Sequence, residues 1–422
     1  MSTVWQIGAA VIFFALILVS VGLHELGHFI PSKLFGVKVT QFFIGFGKNL
    51  WKTRRGETEY GVKLIPLGGY VQLVGMYPPQ RPGKDTRLKR LADSARAAEW
   101  ERISPADVAS GRLFYQRPIW QRLIVMASGV AMNLLVAFLL FSGVNLGYGQ
   151  YQPQLTVQTV QACLDPTAAI CQATPAGAAG LAPGDRLISL NGLAHDSWDD
   201  FSNAIRSNAD GPVALVVDRP GRGLVELPTV PGQLRQTVDP QDPGRTVAVG
   251  FLGVSPTYER VAVGPLTTLS EMGQMVRLAV GALIDLPVST VETVIDLVTG
   301  APRDENSPIS VVGASIVAGQ VVAAPGLETG SKVALYLHLL AQLNLFVAIF
   351  NLVPLLPFDG GHIAAAIFEG LRRAWSKLRG RPDPGPADTA KLMPVAWVVG
   401  GALVLVFLVL IVADIVSPVS LL

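Results

Sequence analysis

Four stretches of the chain are almost wholly apolar: Val4 to Ile30, Ile119 to Leu146, Val333 to Asn351 and Met393 to Val416. A bilayer is crossed by about 20 helical residues, so each stretch predicts a transmembrane helix. The polar chain between them has its own periodicities. After the first span, Phe43-Ile-Gly-Phe-Gly47, Leu50-Trp-Lys52, Arg54-Arg-Gly-Glu57 and the run from Glu59 to Tyr70 alternate apolar and polar residues around turn signals. That pattern predicts a β-hairpin or small sheet, too apolar for a plain surface loop. Pro78 to Pro118 is charged and alanine-rich and reads as helix and loop without a catalytic signal. The long segment after the second span carries glycine, proline and short runs such as Val213-Ala-Leu-Val-Val217, and should be mostly β. From Leu266 to Thr299, Met272, Met275, Leu278, Leu283 and Leu286 recur at helical spacing among Glu271, Arg277, Asp285, Glu292 and Asp296. This predicts amphipathic helices lying on the membrane surface between residues 265 and 332.

Composition agrees with a membrane protein: 50% of the 422 residues are hydrophobic and 15% charged, with a mean hydropathy of +0.43. A net charge of +2 gives no general attraction to nucleic acid. Two cysteines are too few for a disulfide-stapled mini-fold or a thiolate metal cluster. The first span has no basic residue before it and is followed by Lys33 and Lys38, the reverse of a cleaved signal peptide, so it reads as a retained anchor. Charge then sets topology. Ser32 to Pro118 holds 16 basic and 7 acidic residues, Tyr148 to Gly330 holds 9 and 18, and Gly370 to Lys391 holds 6 and 2. The positive-inside tendency puts the first and third of these in the cytoplasm and the second outside, with both termini outward. Outside, Cys163 and Cys171 have the choice of pairing or remaining buried thiols.

Within the outer segment, Thr174-Pro-Ala-Gly-Ala-Ala-Gly-Leu-Ala-Pro-Gly-Asp-Arg-Leu-Ile-Ser-Leu-Asn-Gly192 gives a small-residue helix start, a turn, a strand and a second turn, followed by an amphipathic helix at Trp198 to Ile205. It resembles a bacterial PDZ domain covering residues 154–256. Such modules resemble one another in binding extended peptides along a sheet edge.

The sharpest chemical signal is His24-Glu25-Leu26-Gly27-His28 near the cytoplasmic end of the first span. Residues four apart share a helix face, so both imidazoles can reach one metal ion, with Glu25 beside it. H-E-x-x-H is the pattern of zinc metallopeptidases, in which Zn²⁺ acidifies a water and the glutamate takes its proton. Ionisable groups at membrane depth are costly and usually functional. A third ligand is needed. Asn351-Leu-Val-Pro-Leu-Leu-Pro-Phe-Asp-Gly-Gly-His362 ends the third span, and Pro354 and Pro357 break its helix before Asp359. Asp359 is the expected third ligand; His362, past the double glycine, is the competitor.

Together, these two motifs resemble the site-2 protease family of intramembrane zinc metalloproteases, in the bacterial RseP-like, actinobacterial Rip-like branch with a single PDZ domain. The resemblance implies a polytopic α-helical membrane protein: four transmembrane helices, a membrane-associated β-hairpin region and an extracytoplasmic PDZ domain. In detail, residues 1–31 are the first span, 32–118 the β region and charged loop, 119–147 the second span, 333–362 the third, 370–391 a cytoplasmic loop and 393–416 the fourth. By the same resemblance, Zn²⁺ is held by His24, His28 and Asp359, and Glu25 is the general base. Asn351 helps to hold the substrate backbone, as do Gly45 and Gly47 of the hairpin. Gly129 and Asn133, a G-x-x-x-N pattern, support the site together with Pro354 and Pro357. Phe358 departs from the leucine common before Asp-Gly, and members with tandem PDZ modules are no guide to a single one. The implied substrates are single-span membrane proteins in the bacterial inner membrane, such as anti-sigma factors already cut by a site-1 protease, or remnant signal peptides. The competing function is a catalytically silent PDZ scaffold in the lipid bilayer; no nucleic acid is implied in either case.

Overall fold

A computed structural model describes residues 3–80, 87–164, 172–239, 242–304 and 307–419. The chain divides into two compact units, residues 1–148 with 264–422, and residues 149–263.

The first unit opens with α1 (Thr3–Leu34), whose buried positions Ala9, Phe13, Ile17, His24, Gly27 and His28 form one stripe, with the remaining apolar surface outward. An antiparallel pair follows, β1 (Val39–Arg55) and β2 (Thr58–Leu73). The pairing is double: Phe42 lies opposite both Tyr60 and Val71, while Thr53 lies opposite Tyr60. Each long strand therefore contributes two segments joined through bulges, giving a ribbon four segments wide in which residues 69–73 form one edge. The charged segment contains α2 (Arg87–Trp100) and α3 (Pro105–Ala109), the latter opened by a capping box between Ser104 and Asp107. The Lys38 ammonium, 2.6 Å away, is foremost in holding the Asp107 carboxyl down to about 2. Then comes α4 (Ile119–Gly147).

In the second unit the elements are β3 (Gln150–Val160), α5 (Pro175–Ala178), β4 (Arg186–Leu190), β5 (Leu193–Ala194), α6 (Trp198–Ser207), β6 (Pro212–Val213), β7 (Leu215–Arg219), β8 (Gly223–Glu226), β9 (Val230–Pro231), β10 (Gln233–Asp239), β11 (Asp242–Phe251) and β12 (Val254–Val261). The main antiparallel sheet runs β12-β3-β4-β7-β8. Val157, Leu187, Leu215 and Val217 of this sheet pack on Phe201 and Ile205 of α6, so the mostly β reading and its amphipathic helix hold. Cys163 is disulfide-bonded; Cys171 lies outside the described residues.

The turn before β4 is fixed by Asp185, which is buried and accepts from Arg219 Nε at 2.8 Å, Arg219 Nη2 at 2.6 Å and the Ala182 N–H at 2.9 Å. The Arg219 guanidinium holds the Asp185 carboxyl below its ordinary value. A lowered native pKa stabilises the fold above the unfolded value, near 3.9, and that stability is lost as pH falls through the native value. Arg219→Gln should therefore speed hydrogen exchange in β4 and β7 relative to wild type at pH 7. The difference should shrink at pH 3 and below; an equal difference at both pH values would remove Asp185 as its source.

The chain returns through α7 (Pro265–Thr299), α8 (Val311–Ala323), α9 (Thr329–Asn351), α10 (Asp359–Leu378) and α11 (Met393–Val416). Among the described residues, five helices, α1, α4, α7, α9 and the one ending at Val416, are long and apolar enough to cross a membrane. The sequence pattern predicts four spans with several surface helices after residue 265. Instead, α7 is one continuous helix of 35 residues that includes Pro287. At its start, Asn145 near the end of α4 donates to Thr268 and Glu271. Just beyond its end, Arg303 pairs with Asp414 near the end of α11 at 2.8 Å, both buried. The stretch read as a cytoplasmic loop from residue 370 is helical as far as Leu378.

Candidate metal centre and active site

Close approach of α1 and α4 builds the site. A Cβ on Gly27 would lie 2.5 Å from the Ser128 carbonyl oxygen, so the two backbones touch there, as small residues permit. Directly opposite, a Cβ on Gly129 would lie 2.2 Å from His28 Nε2: the missing side chain makes the room for the ring. The Nδ1 of His28 lies 2.8 Å from the Val125 carbonyl, which can only accept, so Nδ1 carries the proton and Nε2 presents its lone pair inward.

Asp359 arrives from the other side. After α9 the backbone is irregular from Leu352 to Phe358, and Asp359 opens α10. A Cβ on Gly360 would lie 2.3 Å from the Leu352 carbonyl oxygen, and one on Gly361 2.6 Å from the Leu355 carbonyl carbon. The double glycine lets α10 seat against the broken segment, which a helix-breaker reading of Gly-Gly alone does not reveal. Asp359 Oδ2 comes to 3.4 Å from His24 Nε2 and 3.2 Å from His28 Nε2, and the two ring nitrogens are 3.2 Å apart. The ligand atoms of all three residues lie within 4.8 Å of one another. With the His28 ring neutral, its Nε2 lone pair, a buried Asp359 oxygen and the His24 Nε2 atom converge on one point. A cation resolves that conflict, and the nitrogen and oxygen donors suit zinc.

Glu25 lies beside this point, half-buried, with its carboxylate hydrogen-bonded to the Val71 backbone. Gly69 sits so close that a Cβ there would meet Glu25 Cγ at 3.0 Å. A cavity of about 720 Å³ opens from His24, Glu25, His28 and Asp359 toward the edge of β2 at Gly69 to Leu73. Asn351, Pro357 and His362 also line it; His362 is thus near the cluster but outside the three converging residues. Asn133 lines an adjoining cavity, and Pro354 lies exposed in the broken segment. Gly45 and Gly47 do not line this cavity. They take left-handed conformations in β1, φ 89° and 85°, where a Cβ on Gly45 would strike the Ile65 carbonyl oxygen at 2.8 Å. They shape the ribbon, and it is Gly69, Tyr70 and Val71 that border the cavity.

Sequence reasoning also passed over Glu99 of α2, which borders the cavity. It accepts from the Gly75, Met76 and Tyr77 N–H groups and so caps the chain leaving β2. Burial raises its carboxyl above the ordinary value. No motif marks it, because its partners are backbone groups.

The sequence profile of peptidase family M50 matches residues 12–381. The chain belongs to peptidase family M50. Its relatives in the family include zinc metalloprotease Rip1 of Mycobacterium tuberculosis, 34% identical over 97% of this chain and 98% of that protein. Rip1 of Mycolicibacterium smegmatis is 33% identical over 98% of each. Metalloprotease MmpA of Caulobacter vibrioides is 29% identical over 84% of this chain and 85% of its own length. The M50 match takes in both the His24 to His28 motif and Asp359.

Proposed function

We propose that His24, His28 and Asp359 hold zinc and that Glu25 is the general base for hydrolysis of a peptide bond within a membrane-spanning segment. The chain is a zinc-dependent metalloprotease with several long apolar helices, in keeping with an intramembrane protease. The observation that carries the assignment is the convergence of three buried donor atoms from two distant motifs, with Glu25 at their side and a cavity in front.

Zinc, when bound, supplies the Lewis acidity that lets water attack an amide near neutral pH. The Glu25 carboxylate takes the proton of the attacking water and passes it to the departing amine nitrogen. Glu25 and Val71 line the same cavity. A helix hides its amides, so the substrate must unwind, and the freed backbone groups need partners where water is scarce. The edge at residues 69–73, paired with β1 on one side only among the described residues, offers a strand to which the unwound segment adds. Asn351 stands at the same cavity to steady that segment.

The proposed topology has four crossings, α1, α4, α9 and α11, with the metal centre near the cytoplasmic side. A straight 35-residue helix is about 52 Å long, so a crossing α7 would carry Gly300 to the opposite face from Asn145. The Asn145 and Asp414 ties hold both ends of α7 at helix ends remote from the metal centre, which supports a helix laid along the outer side. The second unit is then an extracytoplasmic PDZ domain, and the substrates are single-span proteins such as anti-sigma factors after site-1 cleavage.

The test is reconstitution in liposomes with single-span proteins truncated on the outer side, with the products mapped by mass spectrometry. The expected cut lies within the apolar segment. Cuts confined to the flanking polar residues would contradict intramembrane action.

A further inference from the structure

Beside Glu25, on the side toward the N-terminus of α1, lies a second cavity of about 260 Å³ whose wall includes Ser20, His24, Asn133, Asn344 and Asn351. Asn344 sits between Leu343 and Leu345 in α9 and is 2% exposed. Its amide orientation is fixed: Nδ2 donates to the Leu340 carbonyl at 2.8 Å, a group that can only accept, and to Ser20 Oγ at 3.1 Å. Oδ1 is consequently committed as an acceptor, and it is buried without a hydrogen-bond partner. Buried acceptors are nearly always satisfied, and this one, on a residue that lines a cavity, calls for a donor. Ser20 precedes His24 by four residues, one helical turn or about 6 Å. Asn344, bonded to Ser20, therefore stands about one helical turn, roughly 6 Å, from His24 along α1. An extended chain advances about 3.3 Å per residue, so this distance corresponds to about two substrate residues.

We propose that Asn344 Oδ1 is a substrate subsite that accepts a backbone N–H of the unwound segment, about two residues from the scissile bond on the side facing the N-terminus of α1. The inference rests on the protease reading above. A backbone donor fits better than a side chain, because an apolar segment offers few polar side chains while unwinding frees N–H groups at every residue. Asn351 turns its Nδ2 back to the Val347 carbonyl in the same way, which leaves its oxygen as an acceptor. The site thus reads backbone rather than sequence.

The test is a double-mutant cycle with a synthetic peptide spanning one apolar segment that the full-length wild type cleaves. Amide-to-ester replacements remove one N–H at a time across the cut. In the wild type, an ester two or three residues from the cut on the stated side should lower kcat/KM about tenfold, the loss of one hydrogen bond. In Asn344→Leu the all-amide peptide should show that loss already, and the same ester should add nothing. Equal ester effects in both proteins, as expected if only water occupies the cavity, would overturn the proposal. Should Asn344→Leu fail to accumulate, Asn344→Cys in a Glu25→Gln background supplies a second readout. Disulfide trapping against a cysteine-scanned peptide should peak at those same positions, and a flat or absent profile would overturn the proposal. Cleavage by wild type but not by Glu25→Gln tests the protease reading separately, so absent coupling counts against Asn344 alone.

Discussion

Gly129→Ala is expected to empty the metal centre. The added Cβ would lie 2.2 Å from His28 Nε2 and 2.4 Å from Cε1, far inside contact distance. Neither partner has room to yield. The ring is pinned by its Nδ1 contact to Val125, and α4 cannot retreat from α1 without opening the backbone contact at Gly27. The ring must therefore turn and carry Nε2 away from His24 and Asp359. Loss of ligand orientation costs on the order of 100-fold in metal affinity, measurable as zinc retained per chain after dialysis against a competing chelator. Alanine is the better helix former by about 1 kcal/mol, so a failure of α4 to form is not an alternative explanation. Zinc retention equal to wild type would show that the site tolerates the methyl group, and that the close packing of His28 on α4 does not hold the ligand.

Glu25→Gln separates chemistry from architecture. Glutamine has the same shape and keeps its place beside Gly69, but it cannot take a proton. Zinc content should remain near one per chain, and kcat should fall by roughly 10⁴-fold, the upper range for removal of a general base, with KM little changed. Glu99, the other carboxylate bordering the large cavity, is a poor substitute because three backbone N–H groups already occupy it. A variant within tenfold of the wild-type rate would remove Glu25 from the proton transfer.

Much of the site was legible in the sequence for a simple reason. His24 and His28 fall on one helix face by spacing alone, and the prolines before Asp359 announce broken backbone, which membrane depth tolerates only where protein covers it or a watery cavity meets it. Gly129 was visible as part of a pattern, but its role as the missing atom against His28 depends on a distance. Which edge of the ribbon remains free was not legible, because Phe42 pairs twice: bulges fold the long strands back, and the turn signals at Gly45 and Gly47 do not say which edge stays unpaired. The continuity of α7 through Pro287 was hidden by charges that break its apolar pattern. Asn344 left no signal of its own, since it is one of several polar residues in α9, with His338, Gln342 and Asn351 nearby; only its fixed amide and the cavity beside it give it meaning.

The most direct measurement strips zinc from the solubilised wild type with a chelator, follows cleavage of a single-span substrate, and titrates zinc back alongside Asp359→Ala. The account predicts that cleavage disappears with the metal and returns at about one zinc per chain, while Asp359→Ala does not recover at that stoichiometry. Cleavage by zinc-free protein, or an Asp359→Ala chain that binds one zinc tightly and cuts at the wild-type rate, would contradict it.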